Sequence, residues 1–418
     1  MSLFVKMAPR SFRARKIVLA LWAIVFLAIP IWAYLDASGW DLRVYHAAIQ
    51  ALRIDHDPYA DAIAIQIAYH AQLALHPNTL PDPPYNYVYS PVTLPLLRLI
   101  GKIPDGFSAF IYWLVYATGV LAVIWAGMHA VEEKERKYFV FLAPITVFFP
   151  GLLENGVILS GNIAYIVYGA VLVTAVMGWQ SGRWRWFYLA VLGASCFKAP
   201  LLTLLVIPVL SVRRQWIPAG LTAATGVALF VAQPMIWPVL FGNFLHAVEL
   251  QVSYNRDFGS SPAGMFAGFL FDHGLPYSHG GFIFYLLYAV PLFGFLVYLS
   301  NKFMSGYFPI TRWIPVLLLG VILLNPRIIE YDLAILTIPF ALIGWRLFPG
   351  LANNRIAAVS TLTIFVMINV AAYQSWIIWK NTGGILLVSL FSAGAWQLLQ
   401  LSQLNLLEEV DTDLEVLS

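Results

Sequence analysis

Residues 38–52, SGWDLRVYHAAIQAL, place an acidic and a basic side chain two positions apart, directly after an apolar run. Asp41 can act as a general base that takes a proton from an attacking hydroxyl, and Arg43 can bind the oxygens of a phosphate. An ordinary helix start explains Asp41 equally well, because an acid in the first turn gains roughly 0.3–1 kcal/mol from the helix dipole. The same field favours the ionised carboxylate. The pattern alone leaves both interpretations of Asp41 open.

Two further cations lie inside or between apolar runs, Lys198 in ASCFKAPLL and Arg327 in LLNPRIIEYDLAILTIPF. A lysine at the centre of a bilayer costs roughly 2.5–3.5 kcal/mol on insertion scales, so Lys198 should face protein, water or an anion unless its ammonium group reaches the interface. The planar guanidinium of Arg327 suits phosphate oxygens, although a salt bridge with Glu330 or Asp332 is the alternative. Arg43, Lys198 and Arg327 are therefore our candidates for binding a phosphate.

Tyrosine, asparagine and acidic side chains near the predicted loops could contact a polar, ringed ligand. Aromatic rings also populate membrane interfaces without any ligand, and Asn162, in Ser160-Gly161-Asn162, fits a helix cap as well as a ligand contact. The spacing of Asp55, His56 and Asp57 matches no standard metal site, so no metal and no cofactor are predicted. The candidates for contacting such a ligand are Tyr45, Asn86, Tyr89, Asn162, Asn255, Glu330, Tyr331 and Asp332.

The composition predicts the environment in which these residues work. Of the 418 residues, 60% are hydrophobic and 11% are charged, whereas a soluble domain carries roughly 25% charged residues. Apolar runs long enough to cross about 30 Å of hydrocarbon recur along the chain. The sequence therefore predicts an all-α polytopic membrane protein. A single cysteine, Cys196, excludes an intramolecular disulfide, and no nucleic-acid partner is predicted.

The chain reads as one transmembrane domain, residues 1–405, followed by an acidic cytoplasmic tail, residues 406–418. Two long outer loops, 36–90 and 241–280, interrupt about 11–12 transmembrane or re-entrant helices, and residues 40–53 have the pattern of an amphipathic helix lying at the membrane surface. The expected apolar segments are 17–34, 91–103, 107–130, 138–151, 157–178, 187–211, 216–240, 281–300, 312–325, 332–348, 356–378 and 383–405.

The distribution of arginine and lysine predicts the orientation, because cytoplasmic loops are enriched in these residues. Both ends of segment 187–211 carry arginines, and Pro200 follows Lys198 in its middle. We therefore expect two half-helices that fold back at CFKAP, with both chain termini cytoplasmic and the polar loops on the outer face. Segment 91–103 either spans or re-enters. The expected cytoplasmic cations are Arg183, Arg185, Arg213, Arg214, Lys302 and Arg312.

Five short motifs, taken in order from about residue 36 to 345, resemble the family 87 glycosyltransferases. These are GT-C-fold enzymes similar to polyprenyl-phosphomannose-dependent mannosyltransferases. The motifs are D-x-R-V-Y with the D-P-Y turn, the Tyr-rich Y-x-P stretch, Ser160-Gly161-Asn162, Lys-x-Pro and N-P-R-x-x-E-Y-D.

The resemblance implies a lipid-phosphate sugar donor and an inverting transfer at the extracytoplasmic face. It assigns Asp41 as the general base, and Lys198 and Arg327 as the groups that hold the leaving phosphate. Two stretches depart from the family pattern, Asn255-Arg256-Asp257 and Glu330-Tyr331-Asp332, and both bear on which sugar and which acceptor are used.

The functional hypothesis is a hexosyltransferase of the cell membrane that moves a mannose-like sugar from a polyprenyl phosphate to a lipid or glycan acceptor. The alternative is a transporter or flippase of lipid-linked sugars, which also needs intramembrane cations. The location of the polar groups relative to the two membrane faces distinguishes the transferase from the flippase. A transferase has its polar groups at one face, whereas a flippase has them along a path across the membrane.

Overall fold

The computed structural model describes residues 39–75, 86–133, 160–254, 258–335 and 376–417, together with the isolated positions 16, 17, 20, 21, 24, 28, 342, 343 and 346. All or most of the expected segments 17–34, 138–151, 332–348 and 356–378 lie outside these residues. So do Asn255 and the side chain of Glu330.

The described residues form helices joined by short turns, with no strand among them. The α-helices are α1 Trp40–Arg53, α2 Pro58–Leu75, α3 Leu94–Ile100, α4 Asp105–Ala130, α5 Ala164–Ser181, α6 Arg185–Phe197, α7 Val206–Ser211, α8 Trp216–Ile236, α9 Pro238–Tyr254, α10 Pro262–Asp272, α11 Tyr277–Met304, α12 Ile310–Leu323 and α13 Trp376–Leu417. The 3₁₀ helices are Pro91–Thr93, Ala199–Leu205 and Glu330–Ile335.

Four of the described helices, α4, α5, α8 and α11, are long and apolar enough to cross a membrane. This confirms the prediction of an all-α membrane protein. The acidic tail does not leave the last helix: α13 continues to Leu417, because residues 406–417 contain neither glycine nor proline to end it.

Helices α4 and α5 pack closely against each other and run parallel. A Cβ atom on Gly119 would lie 2.6 Å from the carbonyl oxygen of Tyr165, and one on Gly169 would lie 2.7 Å from that of Gly119. The absence of side chains at these two positions allows the backbones to touch. Because the helices are parallel, the start of α5 lies beside the first turns of α4, where Trp113 packs against Gly161.

Segment 187–211 folds back on itself, as its sequence predicts. Helix α6 ends at Phe197, and Lys198 has an extended backbone with φ −144° and ψ 98°. The second half is not an α-helix along its whole length, since a 3₁₀ helix precedes the short α7. The hydroxyl of Tyr188, near the start of α6, donates to Oε1 of Gln215, just beyond α7, at 2.9 Å. The two ends of the hairpin are therefore neighbours.

The open question about segment 91–103 is resolved by its length and by an ion pair. Helix α3 has seven residues, about 10 Å of helix, which is too short to cross a bilayer. Arg312, at the start of α12, forms an ion pair with Glu132, just beyond the end of α4. The end of α4 and the start of α12 thus lie at one end of the bundle, as expected if segment 91–103 does not span.

The bundle therefore has two distinct ends. At the first, which we call the site end, the hydroxyl of Ser90 donates to the carbonyl of Cys196 at 2.8 Å, and the amide of Val92 donates to Oε1 of Gln233 at 3.1 Å. These bonds join the tip of the hairpin and the end of α8 to the chain before α3. The opposite end contains the Tyr188–Gln215 and Arg312–Glu132 contacts.

Candidate functional site

Asp41 lies in the first turn of α1, and its side chain points into the protein at the site end. Ser160, Asn162 and Tyr331 lie within hydrogen-bonding range of its carboxyl group, while Oδ2 is buried without a close hydrogen-bond partner of its own. Burial raises the pKa of Asp41 to about 6, and the hydrogen bonds from Tyr331, Ser160 and Asn162 limit the rise. Burial of the carboxyl group thus raises the pKa of Asp41 by more than the helix dipole lowers it.

A tight turn before α5 positions two of the partners of Asp41, Ser160 and Asn162. Gly161 has a φ of +72°, and a Cβ atom there would lie 3.0 Å from the ring of Trp113, so both the backbone conformation and the space favour glycine. The amide of Asn162 donates to Oγ of Ser160 at 3.1 Å, and Oδ1 of Asn162 accepts from the amide of Ala164 at 2.9 Å. The side chain of Asn162 therefore bonds the first amide of α5 and also reaches Asp41, while its contact with a ligand stays a prediction.

Tyrosine side chains from separate elements surround the carboxyl group. The hydroxyls of Tyr45 and Tyr89 are 2.9 Å apart, and that of Tyr45 also accepts from the amide of Ile163 at 3.1 Å. The hydroxyl of Tyr112 donates to the carbonyl of Gly161 at 2.6 Å. Sequence reasoning missed Tyr112, whose only signal is its position in the second turn of α4, beside a buried tryptophan.

Lys198, at the tip of the hairpin, meets a protein carboxylate. Its Nζ lies 2.5 Å from Oδ2 of Asp332, and the lysine side chain is 21% exposed. Asp332 also accepts from the hydroxyl of Tyr168 at 2.6 Å and from the amide of Ile329 at 3.1 Å. Asp332 is 2% exposed and accepts three hydrogen bonds, one of which holds the ammonium group of Lys198. Tyr168 was not anticipated from the sequence.

The turn after α12 brings Arg327 to the same end. Asn325 is fully buried, its Oδ1 accepts from the amide of Arg327 at 3.1 Å, and its Nδ2 has no hydrogen-bond partner in the described structure. The second outer loop docks on this turn, since the amide of Ser260 donates to the carbonyl of Ile328 at 2.5 Å and the hydroxyl of Ser261 donates to that of Pro326. Arg327 is half-buried there.

The predicted residues fall into three groups in the structure. Tyr45, Tyr89, Asn162 and Tyr331 surround Asp41. Lys198 lies at the same end of the bundle, paired with Asp332, the residue after Tyr331. The other residues are more distant or lie outside the described part. Asn86 donates to the buried Gln66, Arg43 is exposed on α1 where it lines a neighbouring cleft, and Arg327 lies on the adjoining turn.

The acidic cluster near residue 57 has a structural role. Oδ1 of Asp57 accepts from the amide of Tyr59 at 2.9 Å at the start of α2, and Oδ2 accepts from Nδ2 of Asn243 at 2.7 Å. Within the described ranges, no three histidine, cysteine or acidic side chains come together as metal ligands would. The carboxylate of Asp57 therefore connects the start of α2 to α9 through hydrogen bonds.

The chain was also compared with known proteins. No model of a known protein family matches it, and no curated protein matches it either.

Proposed function

We propose that the protein is a membrane glycosyltransferase that moves a sugar from a polyprenyl-phosphate donor to a hydroxyl of a lipid or glycan acceptor, with inversion at the anomeric carbon. One observation carries the proposal: a buried carboxyl group hydrogen-bonded by Tyr331, and a lysine paired with the next residue, Asp332, lie at the same end of a helical membrane bundle. The order of the sequence motifs adds the sugar class, which we propose is mannose-like.

The proposed reaction uses Asp41 as the base. The acceptor oxygen gives its proton to the carboxylate and forms a bond to the anomeric carbon, while the bond from that carbon to the phosphate oxygen breaks and its electron pair leaves with the lipid phosphate. A pKa of about 6 leaves roughly nine-tenths of the groups ionised at pH 7 and makes the carboxylate a stronger base than an exposed aspartate.

Lys198 and Arg327 are the proposed binding groups for the leaving phosphate. An ammonium group has three hydrogen-bond donors, so the bond to Asp332 leaves two for phosphate oxygens while it fixes the direction of the side chain. A preorganised positive charge of this kind stabilises the charge that develops on the departing oxygen. The phosphate leaving group needs no metal ion in this scheme.

The distribution of polar groups favours a transferase over a flippase. The described contacts of Asp41, Asn162, Lys198 and Arg327 all lie at the site end, whereas the four described helices long enough to span carry no Asp, Glu, Lys or Arg between their end turns. A flippase needs polar groups along a path between both faces. The one-sided arrangement is the specific feature that separates the two hypotheses.

The test is a transfer assay on the purified full-length protein in lipid nanodiscs with defined polyprenyl-phosphate sugars. We expect release of the lipid phosphate and formation of a glycosylated acceptor. Asp41→Asn should reduce the rate by about 10²–10⁴-fold, the usual contribution of a general base. Asp61→Asn, on the exposed face of α2, is the matched control and should transfer normally.

Two results would overturn the proposal. One is an Asp41→Asn protein that transfers at the wild-type rate. The other is movement of sugar-lipid across a vesicle membrane by the wild-type protein, without release of the lipid phosphate, which would favour the flippase.

A further inference from the structure

A cleft of about 430 Å³ lies beside Asp41, between α1, α3 and α4. Its inner end is formed by Tyr45, Tyr89 and Tyr112, whose hydroxyls belong to the network around the carboxyl group. Burial raises the pKa of Tyr45 and Tyr89, and the negative charge of Asp41 raises it further. The inner end of the cleft is therefore close to the proposed base.

The outer part of the cleft has an apolar wall on α3 and α4, beside the polar side chains of Arg43, His46, Asp105 and Ser108, and faces the surroundings of the bundle. Leu96, Ile100 and Ala109 line it, and the side chain of Leu96 is 46% exposed. Phe107 and Phe110, on the same stretch of α4, are also exposed. Since α4 is long and apolar enough to span a membrane, these exposed side chains face hydrocarbon, and a chain of apolar atoms can enter the cleft from the bilayer.

One cation on the cleft wall is available for an anion. Arg43 is exposed, and its guanidinium makes no ion pair or hydrogen bond with any residue that the structure describes. The neighbouring Arg53 is already neutralised, because its Nη2 lies 2.6 Å from Oδ1 of Asp105 and its side chain also donates to the carbonyls of Gly101 and Ile103. A guanidinium beside an apolar cleft at a membrane surface matches a lipid with a phosphate headgroup.

We propose that this cleft binds the acceptor substrate as an anionic lipid. The phosphate lies on Arg43, the hydrocarbon chains lie between α3 and α4, and the hydroxylated head points to the tyrosines. The reacting hydroxyl reaches Asp41 by replacing the hydrogen bond between Tyr45 and Tyr89 with its own bonds to these two side chains. The role as acceptor rests on the proposed function, whereas the lipid site itself does not.

The positions of Lys198 and Arg327 support separate sites for the acceptor and the donor. Neither Lys198 nor Arg327, the proposed partners of the donor phosphate, lines the cleft. Two lipid phosphates therefore have separate binding groups, which two membrane-embedded substrates require if they are to be held together during the transfer.

The experiment measures lipid retention by native mass spectrometry on the delipidated full-length protein. The probes are phosphatidylglycerol, phosphatidylcholine and diacylglycerol with the same acyl chains. We expect at least tenfold more phosphatidylglycerol than diacylglycerol to be retained, with phosphatidylcholine between them. Arg43→Gln should remove this preference, and Arg98→Gln, an exposed arginine on α3, should keep it.

A second pair of variants tests the location. Gly106 lines the cleft and has open space around a Cβ atom, so Gly106→Leu should fill it and reduce retention of phosphatidylglycerol at least fivefold. Gly193 on α6 has the same open space but does not line the cleft, and Gly193→Leu should retain the lipid normally.

Each remaining outcome has a defined meaning. Equal retention of phosphatidylglycerol and diacylglycerol, or normal retention by Arg43→Gln or by Gly106→Leu, would overturn the lipid site. Dependence on Arg43 for polyprenyl phosphate but not for phosphatidylglycerol would assign the cleft to the donor and overturn the proposal. Because binding is read without turnover, a protein that retains phosphatidylglycerol through Arg43 yet transfers no sugar would overturn only the proposed function and the acceptor role.

Discussion

The carboxyl group of Asp41 is buried, yet three hydrogen-bonding side chains surround it, and the balance between these effects sets its pKa. Burial disfavours the ionised form, whereas bonds from Tyr331, Ser160 and Asn162 favour it. Because the result is a pKa of about 6, the group titrates within a range that solution experiments can reach. Its chemistry and its effect on stability can therefore be tested separately.

If Asp41 is the base, the transfer rate should follow its ionisation. We expect the rate to rise about tenfold per pH unit below pH 6 and to level off above pH 7, because only the carboxylate accepts a proton. Tyr331→Phe removes a hydrogen bond that lowers the pKa of Asp41, so the rising part of the profile should move to higher pH. Tyr298→Phe, on the exposed face of α11, is the control. Identical profiles for the two variants would contradict this role of Tyr331.

The same pKa shift predicts the sign of a stability effect. The folded pKa of about 6 exceeds that of an unfolded aspartate, so the stabilisation from the protonated group is complete below about pH 4 and is lost as the pH rises through 6. Asp41→Asn should therefore raise the thermal unfolding temperature at pH 7.5 but not at pH 4, by an amount equivalent to roughly 2–3 kcal/mol. An equal effect at both pH values would refute the buried-charge explanation.

At the scale of the elements, the site depends on the points where helical structure is interrupted as much as on the helices themselves. The hairpin tip at Lys198 and the turn after α12 each follow the end of a helix, and the turn before α5 precedes the start of one. Each of these breaks places a polar side chain at the site. Their carbonyl and amide groups are paired across elements, as between Ser90 and Cys196 or Ser260 and Ile328, because unpaired backbone groups inside a membrane protein cost several kcal/mol.

Alanine variants of two glycines with nearly the same φ can distinguish the effect of backbone strain from the effect of displacing the residues around Asp41. Gly161 and Gly182 have φ values of +72° and +70°, so an alanine at either costs about 1–2 kcal/mol from the left-handed conformation. Only at position 161 does the new Cβ atom meet a neighbour, the ring of Trp113 at 3.0 Å. Gly161→Ala should therefore lose at least tenfold in transfer rate because Ser160 and Asn162 shift from Asp41.

The control for this pair is Gly182→Ala, at the end of α5, where a Cβ atom meets nothing within 4 Å. It should unfold at a lower temperature than the wild type but transfer at nearly the wild-type rate. Equal losses of activity in both variants would show that strain alone, and not the position of the turn, determines activity.

At the scale of the whole molecule, the two ends of the bundle differ in chemistry. The polar network is concentrated at the site end. The opposite end contains the arginines that follow α5 and α7, together with the Arg312–Glu132 ion pair. Arginines in the short loops after α5 and α7 are the feature from which we predict that this end faces the cytoplasm.

Cysteine labelling in intact cells tests this arrangement. In a Cys196→Ala background, Ala60→Cys on the exposed face of α2 should react with a membrane-impermeant maleimide added outside. Ser181→Cys, at the exposed end of α5, should react only after permeabilisation. Labelling of both positions from the same side would contradict the two-ended architecture, and the reverse pattern would place the site on the cytoplasmic face.

The class of the protein, the break at Lys198 and the position of Asp41 in a helix start could all be predicted from the sequence. These features follow from local causes: long apolar runs need hydrocarbon, proline ends a helix, and an acid favours the first helical turn. The same patterns could not predict that the hairpin continues as a 3₁₀ helix, or that segment 91–103 forms a helix of only seven residues.

Which side chains contact each other depends on the tertiary structure and could not be predicted from the sequence. The pairing of Lys198 with Asp332, the approach of Ser160 and Tyr331 to Asp41, and the cleft beside Arg43 join residues from distant parts of the chain. The pKa of Asp41 depends on these contacts, because desolvation is a property of the surrounding packing and not of the residue. Local patterns therefore identify the groups that can react, and the packing of the bundle determines which of them can act together.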